Sequence, residues 1–516
     1  MIIGLDGATF DAIKPMASAG KLPGFSRLMA EGSHGVLKST IPPLTPPAWT
    51  TISTGVNPGK HGLFEFQRIT PDHRLFFNSS RDKYAPDLWD YMPERKVIIA
   101  HLPFTYPPRR VNGILISGMM TPGLHAHHTE PESVENEINE RFPDYSFLIS
   151  WQKYLGREQV FLERIMNLFD QRLAMLDYLM EFRWDLLLFV LMEIDSAQHC
   201  FWGTEIIEKL YQKADTLILK LMDCAERDGF NLMIISDHGF ARVDKWIFLN
   251  ELLEESGFLA FKSAASAPRA RVENLVVGMS NRLLSTNAIK SAMSYVPQRA
   301  VDWVFRVLGK GAFEERNEPC PFDWARTRAF MTSYFGLVYL DRRSVFDGGS
   351  VAREDVPGLK EEVALVLKRA RDPETGGPII TDVLDASGVY TGREVENGPD
   401  LLAIPAPGYA FSPLRSSKAV RTNNLLSGEH HPDGIFNAWG PDVARSRLEG
   451  LWVGDIAPTV LHAMGHPIPD DMDGSVISRM FTPDSVPGAT EPRYYTQDTP
   501  LALRLRIDRL RREGKF

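Results

Sequence analysis

The chain has 516 residues, 44% hydrophobic and 24% charged, and its 57 Lys+Arg against 66 Asp+Glu leave a formal net charge of −9. That balance excludes a disordered or collagen-like chain and a general electrostatic grip on nucleic acid polymers, while leaving room for a local basic pocket that takes a small anion. A single core stops growing near roughly 250–300 residues, so the length requires one large domain with a sizeable insertion, or two or three domains.

Three cysteines, Cys200, Cys224 and Cys320, lie far apart with no metal-ligand spacing. They read as small buried apolar side chains rather than as a disulfide framework or a thiolate zinc site. The opening MIIGLDGATF has no basic n-region and no long apolar h-region, and no uncharged run reaches the roughly 18 residues that span a bilayer. The expected compartment is therefore the cytoplasm, with no membrane span.

Taken in chain order, residues 1–5, 96–100, 113–116, 185–194, 231–235 and 401–404 are short runs rich in Ile, Val and Leu that stop at polar or Gly residues, as buried strands do. Between them, 161–180 and 206–225 carry apolar residues at helical spacing. Strands alternating with amphipathic helices predict an α/β fold, a largely parallel central sheet with helices on both faces. From 252 to 327 the strong strand runs disappear, and 330–390 reads as a small αβ extension of the same insertion. The expected organisation is a core of 1–251 and 397–480, an inserted cap or substrate region over 252–396, and a C-terminal extension over 481–516. The last 16 residues, 501–516, form a basic amphipathic helix candidate with a solvated or subunit-packing face.

Three of these strands close on acids: MIIGLD on Asp6, LLLFVLMEID on Asp195 and LMIISD on Asp237. In a parallel sheet the C-terminal strand ends share one edge, where such folds bind ligands. Three carboxylates gathered there repel one another unless a cation sits between them. Imidazoles stand beside them. His199 follows Asp195 by four residues, His238 adjoins Asp237, and SGEHHPDG offers His430 or His431. Such nitrogen and oxygen donors suit zinc, and also manganese or iron. In LTPPAWTTISTG, Thr45 precedes Pro46 and Pro47 and is expected to cap a helix, where the macrodipole and free N–H groups favour an alkoxide or a phosphoryl oxygen. Taken alone, that segment reads more simply as a structural cap.

Together the segments resemble the alkaline phosphatase superfamily, and within it the type I phosphodiesterase/nucleotide pyrophosphatase family. The landmarks are Asp6, LTPPAWTTISTG, NPGKHGLFEF, DSAQH, SDHG, GEHHPDG and DIAPTVLHAMGHPIPDDMDG, in the family's order. The resemblance implies an alkaline phosphatase-like fold with two divalent metal ions, expected to be zinc. Asp195, His199 and His430 would hold one ion; Asp6, Asp237 and His238 would hold the other, with Thr45 bonded to it as the nucleophile. The pattern Gly-x-His selects His430 over His431. His61 in GKHG takes a packing or supporting role, and Asp455 a structural one. The family's phosphate-binding Asn has no counterpart that can be assigned, and the Cys/Ser-x-Pro-x-Arg pattern of sulfatases is absent.

The implied activity is hydrolysis of phosphoric esters. The expected reaction is that of a phosphodiesterase or pyrophosphatase on a small phosphorylated substrate, through a phospho-threonine intermediate; no nucleic acid polymer is expected as a partner, and an oligomer is compatible. Phosphonate, phosphomonoester or sulfate ester hydrolysis, or phosphoryl transfer, are alternatives on the same site. A non-catalytic metal- or phosphate-binding protein is the alternative of another class, against which the presence of Thr45 counts.

Overall fold

Ile2–Leu5 lies at the middle of the main sheet and every one of its residues is buried. The structure, a computed structural model, describes residues 1–149, 151–154, 157–262, 318–423 and 426–496. Among the described residues the sheet has nine strands, in the order Ser446–Trp452, Ser33–Lys38, Asp433–Trp439, Leu232–Ile235, Ile2–Leu5, Leu186–Leu191, Val97–Leu102, Gly113–Ser117 and Thr129–Glu130. The five strands from Leu232–Ile235 to Gly113–Ser117 run parallel. Asp433–Trp439 and Thr129–Glu130 pair antiparallel with their neighbours.

The parallel strands are apolar throughout because both of their faces are covered. Ile3, Leu5, Ile98, Leu187 and Phe189 face one helical layer, which includes Phe10–Ser18, Pro23–Glu31, Glu158–Met180 and Glu205–Asp228. Ile2, Ile99, Leu188, Val190 and Ile235 face the other, which includes Thr45–Thr54 and Ile456–Ala463. One position of the central strand must be glycine. A Cβ on Gly4 would stand 2.3 Å from Cη2 of Trp49, so the missing side chain lets helix Thr45–Thr54 lie close against the sheet.

Among the described residues four smaller sheets accompany this core, and two of them are four-stranded. Ala329–Met331, Leu337–Leu340, Leu401–Pro405 and Ile380–Asp385 pair antiparallel in that order, with helix Val356–Arg369 packed into the same apolar cluster. Strand Gly239–Phe248 joins the other, pairing first with Gly428–His431 and then with Val420–Thr422 and Gly408–Ser412.

The strands expected at 1–5, 96–100, 113–116 and 231–235 lie in the parallel sheet, and the helices expected at 161–180 and 206–225 form as Glu158–Met180 and Glu205–Asp228. Three expectations are corrected. The strand expected over 185–194 stops at Leu191, and helix Glu193–Phe201 takes Asp195 into its first turn. The run at 401–404 is a strand of the smaller antiparallel sheet, and the chain re-enters the main sheet at Asp433–Trp439. Of the cysteines, Cys320 is buried whereas Cys200 and Cys224 are only half-buried. Residues 263–317 of the expected insertion, and the helix expected over 501–516, lie outside the described residues. Within the described residues no helix is long and apolar enough to cross a membrane.

Candidate metal centre

The strands Ile2–Leu5, Leu186–Leu191 and Leu232–Ile235 are immediate parallel neighbours, so the segments that follow them leave the sheet at one edge. Asp6 comes directly after the first, Asp195 sits in helix Glu193–Phe201 after the second, and Asp237 and His238 lie two and three residues past the third. Gly7, at φ +68°, turns the chain so that its N–H donates to Asp237 Oδ1 at 3.3 Å. The antiparallel pairing of Gly239–Phe248 with Gly428–His431 sets Phe240 opposite His430 and brings that imidazole back to the same edge.

The result is a chain of buried donors. His238 Nε2 lies 3.6 Å from Asp6 Oδ1, 3.3 Å from Asp237 Oδ2 and 3.3 Å from the Thr45 hydroxyl. His430 Nε2 lies 3.3 Å from Asp195 Oδ1, and His199 Nε2 is 3.7 Å from the same oxygen. The His238 and His430 rings stack with centroids 3.7 Å apart, so the two groups of donors adjoin. All seven side chains named from the sequence, Asp6, Thr45, Asp195, His199, Asp237, His238 and His430, therefore meet in one place.

Their neighbours set the tautomers. His238 Nδ1 donates to the Gly239 carbonyl at 3.1 Å and His430 Nδ1 to the Pro43 carbonyl at 3.0 Å, which leaves each Nε2 facing the carboxylates. Trp49 Nε1–H donates to Asp6 Oδ2 at 2.8 Å and turns Oδ1 toward His238. Asp6 Oδ1, Asp195 Oδ1, Asp237 Oδ2, His199 Nδ1 and His430 Nε2 are all buried without a hydrogen-bond partner. Orphaned acceptors of this kind are costly unless a cation satisfies them, and imidazole with carboxylate is a donor set that zinc, manganese or iron accepts. The residues fit divalent ions, and the donors fall into the groups Asp6, Asp237, His238 and Asp195, His238, His430, with His199 and Glu429 joining His430 in a third.

The electrostatics carry the same mark. Burial, then the charges of Asp237 and Asp195, push the Asp6 carboxyl well above its usual range. Burial and Asp195 push Asp237 up to about 8. Asp195 would be raised by burial, but His199 and His430 hold it at about 2. Burial alone would lower His430; the nearby carboxylates of Asp195, 3.3 Å away, and Glu429 instead raise it to about 9. Burial and the charge of His430 keep His238 well below the ordinary histidine value.

Thr45 departs from expectation in one respect. Leu44 is the N-cap and Thr45 the first residue of helix Thr45–Thr54, and no side chain caps that terminus. The hydroxyl is turned toward His238 instead. Pro46 and Pro47 have no N–H and Ala48 N–H is bonded to the Leu44 carbonyl, so of the first four backbone positions only Thr45 keeps an N–H for a ligand. The neutralising charge at this helix end must come chiefly from cations.

The remaining candidates sit elsewhere. His61 is buried, its Nδ1 accepting from Leu63 N–H and its Nε2 3.1 Å from the Thr51 hydroxyl, so it braces the helix that carries Thr45. Asp455 accepts from Trp452 and Ser475 N–H groups and anchors helix Ile456–Ala463. His431 Nδ1 accepts from Asp433 N–H. Sequence reading did not single out Glu429, whose only signal was its place beside His430, or the bond from Trp49 to Asp6, whose signal was Gly4 beneath a tryptophan.

Over residues 1–311 the sequence matches the family described as type I phosphodiesterase / nucleotide pyrophosphatase. No curated protein matches it. Solved structures of similar fold include the inactive variant of murine ectonucleotide pyrophosphatase/phosphodiesterase 5 in complex with AMP, at TM-score 0.52 and 13% identity over 93% of this chain and 99% of that one. Another is phosphonoacetate hydrolase from Sinorhizobium meliloti 1021 in complex with phosphonoformate, at TM-score 0.52 and 15% identity over 88% of this chain and 93% of that one. Identities this low show a shared fold.

Proposed function

The chain belongs to the type I phosphodiesterase/nucleotide pyrophosphatase family of phosphoric ester hydrolases, in the alkaline phosphatase superfamily, and from that premise we propose a two-metal phosphodiesterase or pyrophosphatase acting on a small phosphorylated substrate. The observation that carries the reading is the Thr45 hydroxyl, buried at a helix start, making no cap and standing 3.3 Å from His238 Nε2. A binding module has no use for an alcohol so placed.

In this reading Asp195, His199 and His430 hold one ion, and Asp6, Asp237 and His238 hold the other beside Thr45. When bound, the ions would lower the pKa of the hydroxyl, neutralise the phosphoryl oxygens and activate the water that ends the cycle. The chain supplies the rest. Trp49 fixes Asp6, and the Pro43 and Gly239 carbonyls fix the two imidazoles, so the donors need no reorganisation when substrate arrives. Thr45 Oγ attacks phosphorus, the alcohol or phosphate leaving group departs with the electron pair of its P–O bond, and water then displaces Thr45 from the phospho-threonine. Two displacements predict net retention at phosphorus. Zinc fits the donors best, and the AMP held by the murine relative supports a small phosphorylated substrate. We read 252–396 as a cap or substrate region. Phe335, in the turn between two strands of the smaller sheet, lies 5.2 Å from the His430 ring and so brings that sheet against the site.

Thr45→Ala tests the assignment. Turnover of bis-nitrophenyl phosphate is expected to fall by at least about 10⁴-fold while bound metal stays near two ions per chain by elemental analysis. Retention of most of the activity would remove Thr45 as the nucleophile.

A further inference from the structure

We propose that Glu429 is a positioning residue for His199: its carboxylate takes the Nδ1–H of that imidazole and so presents Nε2 to the ion assigned above to Asp195, His199 and His430. The inference rests on the two-metal reading and adds to it a group that is not itself a ligand.

An imidazole that gives one nitrogen to a metal carries its proton on the other, and that N–H needs an acceptor to fix the ring. Two of the three histidines have theirs, since His238 Nδ1 meets the Gly239 carbonyl at 3.1 Å and His430 Nδ1 the Pro43 carbonyl at 3.0 Å. His199 Nδ1, in contrast, is buried without a hydrogen-bond partner. Its Nε2 faces Asp195 Oδ1 at 3.7 Å, and across the ring Glu429 Oε1 stands 3.8 Å from Nδ1. One ion reaches only one nitrogen of an imidazole. An ion between Asp195 and Nε2 therefore leaves Glu429 at the far side of the ring, where a carboxylate serves as acceptor.

The strand places Glu429 for this task. Neighbouring residues of a strand point to opposite faces, so Glu429 and His430 in Gly428–His431 should diverge. Instead the Glu429 side chain folds back, and its Oε1 accepts from His430 N–H at 2.9 Å. It is 13% exposed, and its only ion-pair neighbours among the described residues are His199 and His430, with no Lys or Arg. The same oxygen lies 3.7 Å from His430 Nε2, but Asp195 is nearer to that nitrogen, at 3.3 Å. Of the two imidazoles, His199 is the one whose Nδ1 has no acceptor. At 3.8 Å the pair is about 1 Å longer than a made hydrogen bond. A turn about the last Glu429 torsions is enough to close it. A carboxylate has two oxygens and about four lone-pair sites, so it keeps the His430 N–H bond while taking a second donor. Its charge then makes Nε2 a stronger donor, and such partners are worth about 10–100-fold in metal affinity.

The test uses the full chain, stripped with chelator and reloaded with Co²⁺, whose paramagnetism moves the ring N–H signals of ligating histidines clear of the other proton resonances. Wild type is expected to show three such exchangeable signals in water, one per histidine. Glu429→Ala should lose or shift one of them and leave in place the two held by the Gly239 and Pro43 carbonyls. Glu429→Gln, which keeps an acceptor oxygen, should retain all three with one displaced. Titration with Zn²⁺ against a chromophoric competitor should show one of the two ions bound about 10–100-fold more weakly by Glu429→Ala, and a smaller loss in Glu429→Gln. Equal melting temperatures of the stripped proteins establish that both variants fold. Only two signals in wild type, or three unchanged in Glu429→Ala, would overturn the proposal. So would equal losses of affinity in both variants, which a charge effect without the hydrogen bond produces. A wild type that takes up neither Co²⁺ nor Zn²⁺ would instead remove the two-ion reading itself.

Discussion

Asp237 is pushed up to about 8 by burial and the charge of Asp195, and His430 reaches about 9 because the carboxylate of Asp195, 3.3 Å away, outweighs the effect of its own burial. Both groups carry a proton at pH 7 when no ion is bound, and both atoms face the place where an ion would sit. Metal and proton therefore compete. The folded-site values lie above neutral pH, so raising the pH from 7 toward 9 removes the competing protons and strengthens binding, while lowering it weakens binding by about tenfold per proton per unit. Zinc titrated calorimetrically at pH 7 in buffers of different ionisation heat should release about two protons per chain. Uptake with no proton release would show that these two groups are not where the ions bind.

Helix Thr45–Thr54 lies against strand Ile2–Leu5 where the Trp49 ring meets Gly4; the helix carries Thr45 and the strand leads into Asp6. Gly4→Ala would set a Cβ 2.3 Å from a fully buried indole that is also bonded to Asp6, so the ring cannot swing away without losing that bond. The helix has to shift. A destabilisation of about 1–3 kcal/mol is expected from the overpacking, with about a 10²-fold loss in kcat if Thr45 moves by about 1 Å. Kinetics together with a denaturant melt check both, and an active, equally stable variant would mean that the helix position is not set here. The same contact shows what was legible in the sequence. The apolar runs that end on Asp6 and Asp237 declare buried strands with acids at their ends, because a strand covered on both faces has to be apolar along its whole length. Leu401–Pro405 has the same composition, yet its partners are Leu337–Leu340 and Ile380–Asp385, and periodicity does not encode which sheet a strand joins. Ser33–Lys38, reading SHGVLK and only alternately buried, gave no such signal although it lies within the main sheet. Glu429 was hidden by the alternation rule itself, since its side chain bends back toward the face of its neighbour.

The residues that converge on the site are spread from Asp6 to His430, and His430 arrives on a strand paired to Gly239–Phe248, which continues into the smaller sheets. No unfolded chain brings these donors together, so an ion binds the native state and leaves the unfolded state almost untouched. At a free concentration about 100 times Kd, each ion then stabilises by about 2.7 kcal/mol, and two ions by about 5 kcal/mol. Unfolding entropy of about 2.1 cal/mol/K per residue gives about 1.1 kcal/mol/K for a chain of this length, so stripping both ions should lower Tm by about 5 °C. Because the donors come from the main sheet, from the helix on one of its faces and from the strand that leads out of it, the shift should move the cooperative transition as a whole rather than detach a minor early step. Calorimetry of the full chain with and without chelator reads this directly. A Tm unchanged by the chelator, in protein that elemental analysis shows to have lost its metal, would mean that the ions do not tie these segments together.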